Sequence, residues 1–248
     1  MSIRKSTAAL LLPLCLALGA CTCTPSVPPM PEVPANAKAI TPEFHDGTQG
    51  RHDRFNAISK EGKAKLVFLG DSITEGWEGS GKDVWAQYYA KREAANFGIG
   101  GDRTEHVLWR LDHGNFDGLN PKLIVIMIGT NNTGHRKDPA TETAAGIRAI
   151  IDRLEKKCPN SKILLLAIFP RGEKPDDDLR KLNEDANRLI KMQADGKKVV
   201  WLDINAKFLD ANGVLPKAIM PDFLHPQADG YKIWAEAIEP EVKRLLGE

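Results

Sequence analysis

Five short apolar runs, each followed by a longer amphipathic stretch, constrain the fold of this chain more than any other feature. The runs cover 65–69, 95–97, 123–128, 163–168 and 199–202, and the stretches with helical spacing cover 82–92, 103–112, 140–157, 176–195 and 227–246. Apart from Lys65 and Asn96 the runs are apolar without polar alternation, as expected of strands buried on both faces. No hairpin signal joins one run to the next, although an antiparallel sheet would need such turns. The alternation predicts an α/β fold: a five-stranded parallel sheet between two helical layers, a three-layer α/β/α sandwich over 43–248. In such sheets sites form where strand carboxyl ends lead into helices, so the residues after each run are the candidates for chemistry.

The residues before position 43 read as an address. Arg4 and Lys5 precede an apolar run at 8–18 and then small residues, the layout of an export signal over 1–20. Leu18-Gly19-Ala20-Cys21 resembles a bacterial lipobox, which implies that Cys21 becomes the lipidated first residue of an exported, membrane-anchored lipoprotein. A plain secretory signal cut near Ala20 and a transmembrane anchor are the alternatives, and the run is short for a span. Pro25, Pro28, Pro29, Pro31, Pro34 and Pro42 mark 21–42 as an extended tether, because proline fixes φ and lacks an N–H. The expected location is the cell envelope, on its periplasmic or outer face.

Composition removes other classes. Lys plus Arg number 34 against 33 Asp plus Glu, and the net charge of +1 comes without a basic cluster, so no nucleic-acid partner is expected. Cys15, Cys21, Cys23 and Cys158 lack paired C-x-x-C spacing, so neither a metal site nor a dense disulfide framework is expected. Cys158 reads as a lone thiol, with a bridge to Cys23 as the alternative.

The first run leads into Gly70-Asp71-Ser72-Ile73-Thr74. A serine there exposes its hydroxyl beside helix-N-terminal amides, but the tripeptide is equally ordinary capping chemistry. The second leads into Asn96-Phe97-Gly98-Ile99-Gly100-Gly101-Asp102-Arg103, where Gly101 lets a backbone N–H approach a ligand. A dinucleotide fingerprint fails here because position 103 is Arg. The third ends in Gly129-Thr130-Asn131-Asn132; the Asn131 amide is a donor that needs no protonation, or an Asx turn. Before the last helix, Asp222-Phe223-Leu224-His225 brings a carboxylate to an imidazole three residues on, which fixes its tautomer. His45, His52, His106 and His113 read as surface or packing residues, and His135 as a residue near the rim of the Asn131 loop.

These four blocks, in this order, resemble those of the GDSL/SGNH hydrolases over about 60–246. The stretches Asn96 to Asp102, His106 to Leu111, Gly129 to Asn132 and Pro170 to Pro175 resemble the platelet-activating-factor acetylhydrolase catalytic-subunit type. The resemblance implies a flavodoxin-like fold, with Ser72 as nucleophile, His225 as base and Asp222 as its orienting acid. It implies an oxyanion hole of the Ser72 N–H, the Gly101 N–H and the Asn131 side chain, and no metal or cofactor. Ile73 stands where the family name has Leu, a volume-conserving change. Ile73, Thr130 and Leu224 flank these positions and either wall a small acyl pocket or pack the local turns. Arg103 and Arg171, like Trp77 and Trp85, are read either as substrate contacts or as structural residues. The expected reaction is hydrolysis of short-chain, above all acetyl, esters through an acyl-enzyme, on extracellular carbohydrate or lipid. The alternatives are an inactive carbohydrate-binding protein of the same fold, or an O-acyltransferase, lysophospholipase or thioesterase using the same residues. The resembling acetylhydrolases pair up, so a homodimer is a further expectation.

Overall fold

The structure, a computed structural model, describes residues 32–248. The expected export signal, Cys21, Cys23 and the first part of the tether therefore lie outside the described residues. Five strands, β1 (Leu66–Gly70), β2 (Ala94–Gly98), β3 (Leu123–Met127), β4 (Lys162–Leu166) and β5 (Val199–Leu202), form one sheet in the order β2-β1-β3-β4-β5. Every pairing is parallel. The helices are α1 (Gln49–Glu61), α2 (Ser72–Glu75), α3 (Lys82–Tyr88), α4 (Thr104–Asp112), α5 (Ala140–Lys157), α6 (Asp178–Lys191) and α7 (Ala228–Leu246).

Side-chain alternation along the buried strands builds two cores. Val67, Leu69, Ile124, Ile126, Ile163 and Leu165 pack with Phe55 of α1, Leu108 of α4, Ile147 of α5 and Ile190 of α6. Leu66, Phe68, Leu123, Val125, Leu164 and Leu166 pack on the other face with Trp77, Tyr89 and, from α7, Trp234 and Ile238. Each such side chain contributes about 1.5–3 kcal/mol by leaving water. Among the described residues no helix is long and apolar enough to cross a membrane.

The structure departs from the sequence reading at α1, which that reading does not anticipate, and at the tether. The helix α1 has weak apolar periodicity, because two of its three buried residues, His52 and Ser59, are polar and only Phe55 is apolar. Ser59 makes up for this by donating to the Phe55 carbonyl and accepting from the Phe116 N–H. The tether does not run to 42: Lys38–Ile40 form a 3-10 turn, Ala39 is fully buried, and its carbonyl accepts from Thr104 of α4. Glycine at 146 in α5 makes room for it, since a Cβ there would lie 2.6 Å from that carbonyl oxygen. Cys158 is a free, buried thiol, and burial pushes its pKa up to about 11.

The corner from β1 into α2 is packed backbone against backbone. Gly70 pairs level with Gly98 and Met127, so β1, β2 and β3 end at the same height. A Cβ on Gly98 would sit 2.2 Å from the Glu75 backbone nitrogen. Asn96 fastens the contact, donating to the Thr74 carbonyl at 2.9 Å and accepting from the Gly98 N–H at 2.8 Å. From the far side the Tyr231 hydroxyl donates to the Ile73 carbonyl at 2.8 Å. Asp71 caps α2 by accepting from the Ile73 N–H at 3.0 Å. Its carboxyl is fully buried with one oxygen lacking a hydrogen-bond partner, and burial pushes its pKa up from 3.8 to about 7.

Gly98→Ala lowers the urea-unfolding free energy by at least about 2 kcal/mol, because the new methyl meets backbone that has no rotamer to yield. The unfolded chain ionises Asp71 near 3.8 and the folded protein only near 7, so the folded state loses stability as pH rises through that window. Asp71→Asn keeps the cap acceptor and removes the charge. The fall in stability between pH 4 and pH 8 is therefore smaller in this variant, by up to about 4 kcal/mol at 1.36 kcal/mol per pKa unit, read by denaturation at both pH values.

Candidate active site

The nucleophile candidate opens α2 at the carboxyl end of β1, the point where β2 lies to one side and β3 to the other. Ser72 Oγ lies 2.9 Å from His225 Nε2, a contact between residues 153 apart in sequence. His225 Nδ1 lies 2.6 Å from Asp222 Oδ2, so this nitrogen carries the proton toward the carboxylate and Nε2 is left as acceptor for the serine. Asp222 Oδ1 accepts from the backbone N–H groups of Leu224 and His225 at 3.0 and 2.8 Å. Partial burial works against the Asp222 charge, but the His225 backbone N–H and imidazole outweigh it and hold the carboxyl below its ordinary pKa. Acid and base thus share one turn, in which Phe223 adopts a left-handed φ of 56°. That turn is anchored where Gly172 N–H donates to the Phe223 carbonyl at 2.9 Å. Arg180 in turn clamps the Gly172 segment by donating to the Arg171 and Gly172 carbonyls.

The loop after β2 carries Gly101 at φ +77°, a conformation that favours glycine. It is tied down by the Gly100 N–H to Glu75 (2.5 Å) and by Arg51, which donates to the Gly98 carbonyl and pairs with Glu75. The Asn131 side chain, 4% exposed, donates one amide hydrogen to the Asp102 carbonyl at 3.0 Å. An amide NH₂ has two hydrogens, so the second is available to a ligand, and the first bond locks the loops after β2 and β3 together. The four sequence blocks therefore meet at one edge of the sheet.

The flanking residues are placed differently. Ile73 is 1% exposed and sits in the core with Trp77, and Thr130 is fully buried, so both pack the local turns as closed walls rather than open ones. Leu224 is half-buried beside His225. The Arg103 guanidinium is bonded to buried Glu105 at 2.6 Å. Arg171 donates to the Thr130 carbonyl at 2.7 Å. Trp77 and Trp85 line a cavity of about 610 Å³ with Ile58, Ala64 and Ala95, beside the β2 edge and with none of the site residues in its wall.

The sequence reading, which takes His45 as a surface or packing residue, does not anticipate its pairing with Asp102. Asp102 is fully buried, paired with Arg110 at 2.8 Å and bonded to His45 Nδ1 at 2.8 Å, and the His45 ring stacks on His106. His45 backs the oxyanion-side loop: a Cβ on Gly101 would lie 3.1 Å from its Cε1. The three side chains lie close enough to share an ion, but Arg110 already neutralises the carboxylate and the Arg103 N–H occupies His106 Nδ1. Burial, the largest influence, pulls the His106 pKa down to about 4, which fits a neutral hydrogen-bonded ring.

Comparison with known proteins bears on the family and the fold. The pattern of the GDSL-like lipase/acylhydrolase family matches residues 68–233. The chain is 34% identical over 198 residues to human platelet-activating factor acetylhydrolase IB subunit alpha1, spanning 79% of this chain and 83% of that protein. It is 36% identical over 204 residues to the rat alpha2 subunit, spanning 82% and 86%. A GDSL-like lipase from Bacteroides thetaiotaomicron superposes with a TM-score of 0.63 at 22% identity, over 78% of this chain and 97% of the other. An acetylxylan esterase from Geobacillus stearothermophilus superposes with a TM-score of 0.58 at 22% identity, over 75% and 94%; these two likenesses concern the fold. A family pattern spanning more than half of the sequence and relatives matched along most of their length place this chain in the GDSL-like lipase/acylhydrolase family, as a carboxylic ester hydrolase.

Proposed function

We propose that this hydrolase is a serine esterase that removes short acyl groups, above all acetyl, through an acyl-enzyme on Ser72. The observation that carries the reading is the continuous relay from Ser72 Oγ through His225 to Asp222, with contacts of 2.9 and 2.6 Å. Ser72 Oγ attacks the ester carbonyl as His225 Nε2 takes its proton, while Asp222 holds the imidazole and offsets the charge it gains. The oxygen that becomes negative is received by the Ser72 and Gly101 N–H groups and the second Asn131 amide hydrogen. Collapse returns the proton to the leaving alcohol, and water, activated by the same imidazole, then releases the acid. Every step is a proton transfer or acyl transfer that these side chains supply.

The acetyl preference is supported by the acetylhydrolase and acetylxylan esterase names of the relatives. A hydrophobic pocket discriminates by only about 1–3 kcal/mol per methylene, so the preference is graded. The exported address read from Leu18 to Cys21 supports O-acetyl groups on extracellular carbohydrate or lipid as the target, with the enzyme tethered through lipid on Cys21.

For the full-length chain in mild detergent, kcat/KM on p-nitrophenyl esters falls steadily from acetate to octanoate. Ser72→Ala lowers kcat by at least about 10³-fold without loss of fold, and Asp222→Asn by about 10²–10⁴-fold. Octanoate cleaved faster than acetate would overturn the short-acyl reading. Expressed in a bacterial host, the wild type fractionates with membranes, and Cys21→Ser releases it to the soluble fraction.

A further inference from the structure

Arg171 carries a charge that the ester-cleaving arrangement leaves without a task. It is half-buried, and its Nη1 donates to the Thr130 carbonyl at 2.7 Å and hydroxyl at 3.2 Å. The guanidinium lies so close over Gly134 that a Cβ there would sit 2.0 Å from Nη1. Neighbouring arginines are spent in direct contacts: Arg103 on Glu105, Arg110 on Asp102 and Arg136 on Asp138, while Arg180, which has no contact acid, gives Nε, Nη1 and Nη2 to the carbonyls of Arg171, Gly213 and Gly172. Among the described residues no carboxylate makes such a contact with Arg171, and its Nε and Nη2 hydrogens have no protein acceptor. Withdrawing a cation from water without a contact ion is costly, and burial lowers the Arg171 pKa despite the more distant acids it feels.

Those acids are engaged elsewhere. Asp177 caps α6 through the Leu179 N–H, Asp222 is bonded to His225, and Asp71 is held partly protonated near neutral pH. Hydrogen bonds on either side of it place Arg171 beside the Ser72–His225 contact. Thr130, which it holds, adjoins Asn131, and Gly172, which follows it, is bonded to the Phe223 carbonyl.

We propose that Arg171 binds an oxyanion, phosphate or carboxylate, on the alcohol half of the ester, so that this enzyme prefers acyl esters of negatively charged alcohols. The inference rests on the esterase reading of Ser72 and deepens it. With Nη1 committed to Thr130, the Nε and Nη2 edge presents two parallel N–H groups, the fork that matches two oxygens of one oxyanion. The reaction is unchanged; the ion pair orients the leaving alcohol.

The test uses the full-length chain with 4-acetoxyphenyl phosphate, 4-acetoxybenzoate and neutral methyl 4-acetoxybenzoate, in wild type, Arg171→Met and Arg171→Lys. In Arg171→Met the ratio of kcat/KM on the anionic esters to that on the neutral ester falls ten- to hundredfold, chiefly through KM, and Arg171→Lys retains part of the preference. The anion whose ratio falls further, phosphate or carboxylate, is the one the site fits. If all three esters lose equally, Arg171 merely supports Thr130 and the proposal is overturned. Calorimetric binding of 4-acetoxyphenyl phosphate to Ser72→Ala, with and without Arg171→Met, separates the two readings. An enzyme that turns over none of the three contradicts the esterase reading, whereas binding untouched by Arg171→Met contradicts this one.

Discussion

The rest of the site depends on how closely two backbones approach: β2 passes the first turn of α2 at a distance that leaves no room for a Cβ on Gly98. Asn96, a polar residue inside a strand, is retained at that point because its side chain bonds to the Thr74 carbonyl and the Gly98 N–H at once. Together they hold the Ser72 turn against the loop that carries Gly101. Apolar packing elsewhere supplies most of the stability but is indifferent to small displacements; this contact is not, and it sets where a hydroxyl and a backbone N–H stand relative to each other.

The remaining donors and the base are brought in by loops that brace one another. Asn131 ties the loop after β3 to the loop after β2 through a carbonyl, leaving one amide hydrogen free. Arg180 steadies the segment after β4, and that segment holds the Asp222 to His225 turn through Phe223. Asp71, buried and reluctant to ionise, marks a tension between stability and the need for a short helix to start abruptly at Ser72. Its carboxyl is retained where an amide would be less costly to bury.

Parts of this were legible from residue order and parts were not. Strands such as β3, five buried residues in succession, announce themselves because no other element of that length is apolar on all sides. The Asp222 to His225 pair is legible because both partners lie within one turn. The helix α1 is illegible because its inward stripe is built from His52 and Ser59, whose polar groups are satisfied by partners far along the chain. The bond from Asn131 ends on a backbone carbonyl, which leaves no signature in residue types. His45 reads as a surface or packing residue, and its particular partner Asp102 is illegible because it is chosen by the fold of the Gly101 loop. Arg171 stands out only once the other arginines around it are seen to be paired with acids or, for Arg180, with carbonyls.

The division of labour between the two ends of the domain has a consequence for biosynthesis. Ser72 and both loops that would receive the negative oxygen belong to the first half of the domain, while acid and base arrive together on a turn that leads into the last helix. A growing polypeptide therefore carries a serine with no base to activate it until the final helix has been made and has docked on the sheet. On the proposed roles of Ser72 and His225, ester cleavage would begin only with completion of the fold.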